Sequence, residues 1–129
     1  MTNRDIMAYN VLLMALKSVC PYRTGNLERN GIRIQVEGNG LKVIIGHETS
    51  KQLGEYAVYT NEPWISPRWG GKQNPNEGWI ERGIKKAIPM IQGVYEGMSI
   101  DDFYELMDDL QRETATRQAE IRKKRLSNV

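Results

Sequence analysis

The sequence predicts an α+β fold: a small antiparallel sheet covered by an N-terminal helix and one kinked helix, with an additional C-terminal helix. Three observations predict it. Apolar residues recur at helical spacing over residues 2–20, over 80–91 and again from Ile100 to Leu110. Between the first two stretches, apolar and polar residues alternate from Ile32 to Ile45 around Gly38-Asn39-Gly40, the pattern of two strands joined by a tight reversal. The segment from Tyr59 to Trp79 holds all three tryptophans, Pro63, Pro67, Pro75 and the Gly70-Gly71 pair. Neither a regular helix nor a central strand tolerates that composition, yet it is too aromatic for a disordered linker.

The first helix has Thr2 as its N-cap and Asp5 in the reciprocal capping-box position. Ile6, Tyr9, Leu13, Leu16 and Cys20 form its expected apolar face, with Arg4, Asn10 and Lys17 away from it; Pro21 stops it. Pro21 to Gly31 reads as a turn-rich connector, and Thr24-Gly25-Asn26 is its turn signal. Ile32, Ile34 and Val36 make the buried face of one strand, and Leu41, Val43 and Ile45 that of its partner. Ile44, on the opposite face, suggests cover on both sides. Gly46 to Leu53 is polar and loop-like. Glu55 to Thr60 reads as a third strand through Tyr56, Val58 and Tyr59, with a helical turn as the competing reading.

After the aromatic stretch, Asn76 is placed to cap a helix, with Glu77 favoured in its first turn by the macrodipole. Ile80, Ile84, Ala87 or Ile88, and Ile91 mark its buried face, and Pro89 is expected to kink the helix or divide it. Gly97 ends that segment. Ser99 with Asp102 reads as another capping box, and Ile100, Phe103, Leu106, Met107 and Leu110 give a short apolar stripe. Beyond Leu110 the periodicity fails and charge dominates. Residues 1–98 are expected to form the α+β domain, and 99–129 a helical extension with a basic tail, within the same domain or appended to it.

Composition narrows the function. The 129 residues are one domain's worth, and a net charge of +2 does not by itself argue for nucleic acid. The single cysteine, Cys20, excludes an intramolecular disulfide and fits a reducing cytoplasm, most simply as a small buried hydrophobe. No apolar run approaches the ~20 residues that span a bilayer, so no membrane partner is expected, and the N-terminus lacks the pattern of a signal peptide.

Catalytic chemistry finds little support. His47 is the only histidine, and nothing at conventional spacing builds a triad or a small hydrolase site around it. One histidine and one cysteine cannot make a zinc cage. The acidic group Asp101, Asp102, Glu105, Asp108 and Asp109 lacks the glycine-centred loop of an EF-hand, and reads as a helix start stabilised by negative charge. Gly70-Gly71-Lys72 lacks the Walker spacing. The expectation is a protein that is not an enzyme and takes no cofactor or metal. Arg122, Lys123, Lys124 and Arg125 are the candidate DNA-facing residues, because phosphate contact needs clustered cations. A solvated helix end is the alternative, since no aromatic residue is interleaved for base stacking.

The tryptophan stretch has two readings. Either its rings fold back onto the domain's own sheet, or Trp64, Ile65, Pro67, Arg68, Trp69, Gly70 and Gly71 form a subunit interface in which Trp64 or Trp69 is the anchor. Trp79, at a helix start, is expected to be intramolecular.

Three stretches resemble, in this order, a known family: PYRTGNLERNGIRI (Pro21 to Ile34), GEYAVYTNE (Gly54 to Glu62) and NPNEGWIERGIKKAI (Asn74 to Ile88). The family is the minor capsid, head–tail joining or tail-completion proteins of tailed bacteriophages. The specific parts are Thr24, Gly25, Asn26 and Leu27, and Asn74, Pro75, Asn76, Gly78 and Trp79. The residues after Ser99 lie outside the match.

The resemblance implies a structural protein of the virion neck, assembled in the host cytoplasm. Such a protein forms a ring with copies of itself, commonly a hexamer, between a head-side connector or stopper protein and the tail-tube protein. It completes or terminates the tail and joins it to the head. Basic residues on the inner wall of such a ring would touch passing DNA without reading its sequence. The alternative is a small nucleic-acid-binding module that uses the C-terminal basic run.

Overall fold

The computed structural model describes residues 2–38, 40–45, 51–63, 65–66 and 72–127. The elements run α1 (Asn3–Val19), α2 (Asn26–Asn30), β1 (Ile32–Glu37), β2 (Gly40–Ile45), α3 (Lys51–Asn61), β3 (Ile65–Ser66), β4 (Lys72–Gln73), α4 (Trp79–Tyr95) and α5 (Ile100–Ser127). The fold is α+β, with an antiparallel hairpin packed against helices.

Helix α1 starts as its sequence requires. Thr2 Oγ1 accepts from the Asp5 backbone N–H at 3.1 Å, and Asp5 Oδ2 accepts from the Thr2 backbone N–H at 3.0 Å. Its buried face differs from the expected one. Met7, Ala8, Val11, Leu12, Ala15 and Leu16 are buried, whereas Ile6 is exposed and Tyr9 and Leu13 pack at the margin. The alanines face inward because α4 crosses closely there. A Cβ on Gly83 of α4 would lie 2.8 Å from Leu16 Cδ2 and 3.0 Å from Val19 Cγ2. Small residues on both helices let the backbones approach.

The hairpin pairs Ile32 with Ile45, Ile34 with Val43 and Val36 with Leu41. Ile34 is buried in the main core with Leu12, Leu16, Cys20, Leu27, Ala57, Trp79 and Ala87. Ile44, on the other face, is half-buried. A satellite core of Met7, Val11 and Val94 sits under Met90, Met98, Phe103, Leu106 and Met107, where α1, α4 and α5 meet.

Three elements correct the sequence reading. The expected third strand, Glu55 to Thr60, lies within α3. Ala57 and Thr60, three apart, are buried, while Val58 and Tyr59 are exposed, so helical burial overrides β-propensity. Of the expected loop from Gly46 to Leu53, residues 51–53 are the first turn of α3, and 46–50, including His47, lie outside the described residues. The connector after Pro21 contains the short helix α2, which the turn signal concealed. Further strands do exist, but β3 and β4 form their own two-residue ladder, Ile65 opposite Gln73 and Ser66 opposite Lys72, and do not join the hairpin.

Helix α4 begins at Trp79, later than the expected cap at Asn76, and runs through Pro89 without dividing. Pro89 and Ile88 are exposed, and Ala87 takes the buried position. Helix α5 is continuous far beyond Leu110. Its N-terminus is capped by Ser99, whose Oγ accepts from the Asp102 backbone N–H at 3.1 Å. Where its apolar stripe ends, polar contacts take over. Arg117 Nε donates to the Ser18 carbonyl at 2.9 Å, and its Nη2 donates to the Cys20 carbonyl. These are carbonyls that the end of α1 leaves unpaired. Lys86 donates to Ser18 Oγ at 2.8 Å and pairs with Glu113. None of the helices among the described residues is long and apolar enough to cross a membrane.

Candidate assembly surface

The end of α3 and the start of α4, which flank the tryptophan-rich stretch in the sequence, are tied together by side chains. Asn74 is buried, and its Nδ2 donates to the carbonyls of Thr60 and Glu62, each at 2.8 Å. Its Oδ1 accepts from the Asn76 backbone N–H at 2.9 Å, a local turn that short amide and carboxylate side chains favour. Trp79, fully buried, donates from Nε1 to Thr60 Oγ1 at 3.2 Å, and that hydroxyl donates to the Ala57 carbonyl at 3.0 Å.

Asn61 completes the knot from the other side. Its Oδ1 accepts from the Ile80 backbone N–H at 3.1 Å, its carbonyl from the Gly78 N–H at 2.9 Å, and its Nδ2 donates to Glu81 Oε1 at 3.4 Å. The cap of α4 is thus supplied in trans, by the last residue of α3. Gly78 sits at φ +70°, where a side chain is strained, and lets the chain turn into the helix. Among the described residues no buried side-chain nitrogen or oxygen is left without a partner. With its buried side-chain donors and acceptors paired, the knot holds the end of α3 against the start of α4.

The Thr24-Gly25-Asn26-Leu27 motif makes the start of α2. Thr24 Oγ1 accepts from the Asn26 N–H at 3.3 Å, Gly25 takes φ +82°, and Leu27 is buried in the main core. Arg29 Nη2 donates to the Thr24 carbonyl at 3.3 Å.

The basic run of α5 lies beside this turn. Arg125 donates to the carbonyls of Tyr22 and Arg23. The guanidinium carbons of Arg125 and Arg122 lie 5.5 Å and 6.0 Å from the centre of the Tyr22 ring. Lys123 and Lys124 are exposed. All four cations expected to face DNA are exposed; the two arginines also hold the helix end on Tyr22. At the opposite end of α5, Asp101, Asp102, Glu105 and Asp108 are exposed around the exposed side chains of Ile100 and Tyr104.

Of the candidate interface residues, Ile65 lies in β3; Trp64, Pro67, Arg68, Trp69, Gly70 and Gly71 lie outside the described residues. The motif residues Asn74, Asn76, Gly78 and Trp79 come together in the knot, with Pro75 exposed in the turn between them. Thr60 and Asn61, their essential partners, were not singled out in the sequence. Both stood inside a stretch that drew attention, but nothing in one sequence pairs a residue with another that follows it by 14 or 19 positions.

Cys20 is fully buried at the end of α1, and burial pushes its thiol up to about 12, so it behaves as a small apolar side chain. Among the described residues no group of three His, Cys, Asp or Glu side chains is placed to hold a metal ion.

No family model, no curated protein and no solved structure matches the chain.

Proposed function

We propose that this chain is a structural protein of a tailed-bacteriophage neck. It forms a ring with copies of itself, completes or terminates the tail, and joins it to the head between a head-side connector and the tail tube. It is not an enzyme in this reading and needs no cofactor.

One observation carries the proposal. The stretches behind the resemblance, GEYAVYTNE and NPNEGW, converge on a single buried knot through Thr60, Asn61, Asn74 and Trp79. Its polar side chains bond to one another and to the backbone, and so tie together the two helix ends that flank the tryptophan-rich stretch. That is what a subunit needs to present a loop to a neighbour, and what a turnover site does not need.

The test is the particle. Mass spectrometry and labelled-antibody imaging of purified virions should place the chain at the head–tail junction, and a phage lacking its gene should accumulate unattached heads and tails. Absence from purified particles, with no binding to head or tail components, ends the reading. The nucleic-acid alternative rests on the exposed basic run Arg122, Lys123, Lys124 and Arg125. It requires DNA binding that weakens with salt at a slope of about −0.9 per phosphate neutralised, and that is lost when the four become neutral.

A further inference from the structure

We propose that the two ends of α5 are the complementary halves of a contact between copies of this chain. The exposed Ile100 and Tyr104, with Glu105 and Asp108 beside them, receive the Lys123–Lys124 end of the next copy together with its exposed Leu126. The proposal rests on the ring reading and names the surfaces that would build the ring.

The charge is sorted along one helix. Asp101, Asp102, Glu105, Asp108 and Asp109 lie in its first ten residues with no cation among them, and Arg122 to Arg125 lie near its end. The helix macrodipole accounts for acids in the first turn and bases in the last, but its effect fades within a turn. Glu105 and Asp108 lie beyond that reach. Nor does the dipole explain large apolar side chains left in water beside the charges: Ile100 is 55 %, Tyr104 63 % and Leu126 77 % exposed.

Neighbouring cations are already engaged. Arg4 donates to the Val94 and Met98 carbonyls, and Arg112 pairs with Asp109 at 3.2 Å. At the other end, Arg122 and Arg125, themselves exposed, sit over Tyr22 and anchor the helix, and Lys123 and Lys124 are exposed beside them. At 28 residues the helix is about 42 Å long, so its two ends cannot meet within one molecule. They can meet only between copies, and a contact between unlike faces propagates head to tail, closing when the rotation allows. Opposite charge at an interface rim sets register and rate of encounter, and the apolar residues supply the buried centre.

Sedimentation of the full chain decides it. The wild type should self-associate, at least about tenfold more tightly in about 0.1 M than in about 1 M salt. Glu105→Lys with Asp108→Lys, and separately Lys123→Glu with Lys124→Glu, should each weaken association at least about tenfold while the melting curve stays cooperative. An equimolar mixture of the two variants should associate again, because each then offers the end its partner needs; misfolded variants would not be rescued. Tyr104→Ser supplies a charge-neutral arm, expected to weaken association with little change in melting.

A wild type that stays monomeric in all conditions, association indifferent to both reversals, or loss without rescue on mixing overturns the proposal. So does duplex DNA binding abolished by the lysine reversals while association is unchanged, which would assign that end to nucleic acid. Particles that form normally with either variant remove this contact but leave the neck reading intact. Salt-sensitive association by a chain absent from particles does the reverse.

Discussion

Asn74 shows how much one side chain carries. It is buried, and both its amide hydrogens and its carbonyl oxygen are used, tying Thr60, Glu62 and Asn76 together. Removing it orphans the buried Thr60 carbonyl and takes a partner from the part-buried Glu62 carbonyl and Asn76 N–H. Asn74→Ala should cost about 2–3 kcal/mol in denaturant unfolding, and Asn74→Asp should rescue only part of it, because a carboxylate cannot donate to the two carbonyls. Two glycines of α4 separate packing from propensity. Gly83→Ala adds a methyl 2.8 Å from Leu16 Cδ2 and 3.3 Å from the Leu16 Cα, inside a buried crossing. Overpacking of about 1–3 kcal/mol outweighs a helix-propensity gain of about 1 kcal/mol, so the variant should melt lower. Gly93→Ala meets only the flexible end of Met98 at 3.4 Å, and should raise stability by about 0.5–1 kcal/mol. If Gly83→Ala raises stability as Gly93→Ala is expected to, the crossing is not as tight as described.

At the level of elements, what the sequence revealed depended on whether burial followed a local period. The hairpin and the start of α1 were legible because alternation and a capping box are local signals. The far half of α5 was not, because it is held by Arg117, Lys86 and Arg125 reaching other elements rather than by an apolar stripe. Helix α3 was misread because its β-formers Val58 and Tyr59 are exposed while Ala57 and Thr60 take the buried positions. The knot was half legible: Asn74 to Trp79 stood out, but their partners on α3 become visible only when the chain is folded. Arg117 tests the helix clamp. Arg117→Ala should cost about 1–3 kcal/mol and speed amide exchange through the last turn of α1 and the far half of α5. Arg117→Lys should recover less than half, since a single ammonium does not fork between the Ser18 and Cys20 carbonyls.

Across the whole molecule, pH should act from both sides. Burial moves the Cys20 thiol from 9.0 to about 12. Between those values the unfolded chain gives up its proton and the folded chain keeps it. Its contribution is complete below about 9 and is lost as pH climbs toward 12. Tyr95 acts in the same sense, raised by its hydrogen bond to Asp5, as does Tyr56, raised by burial. Asp5 acts on the acid side. The Tyr95 hydroxyl lowers it from 3.8, so its contribution is present above that value and lost as pH falls through the folded one. Cys20→Ala should flatten the alkaline decline in melting temperature, even though it loosens the core at neutral pH; an unchanged slope would mean that the thiol does not report folding. The Asn61–Asn74 knot has a further consequence. Because the end of α3 and the start of α4 are stitched together by these side chains, the two ends should open as one unit: amide exchange in the last turn of α3 and the first turn of α4 should quicken together when Asn61 or Asn74 is lost.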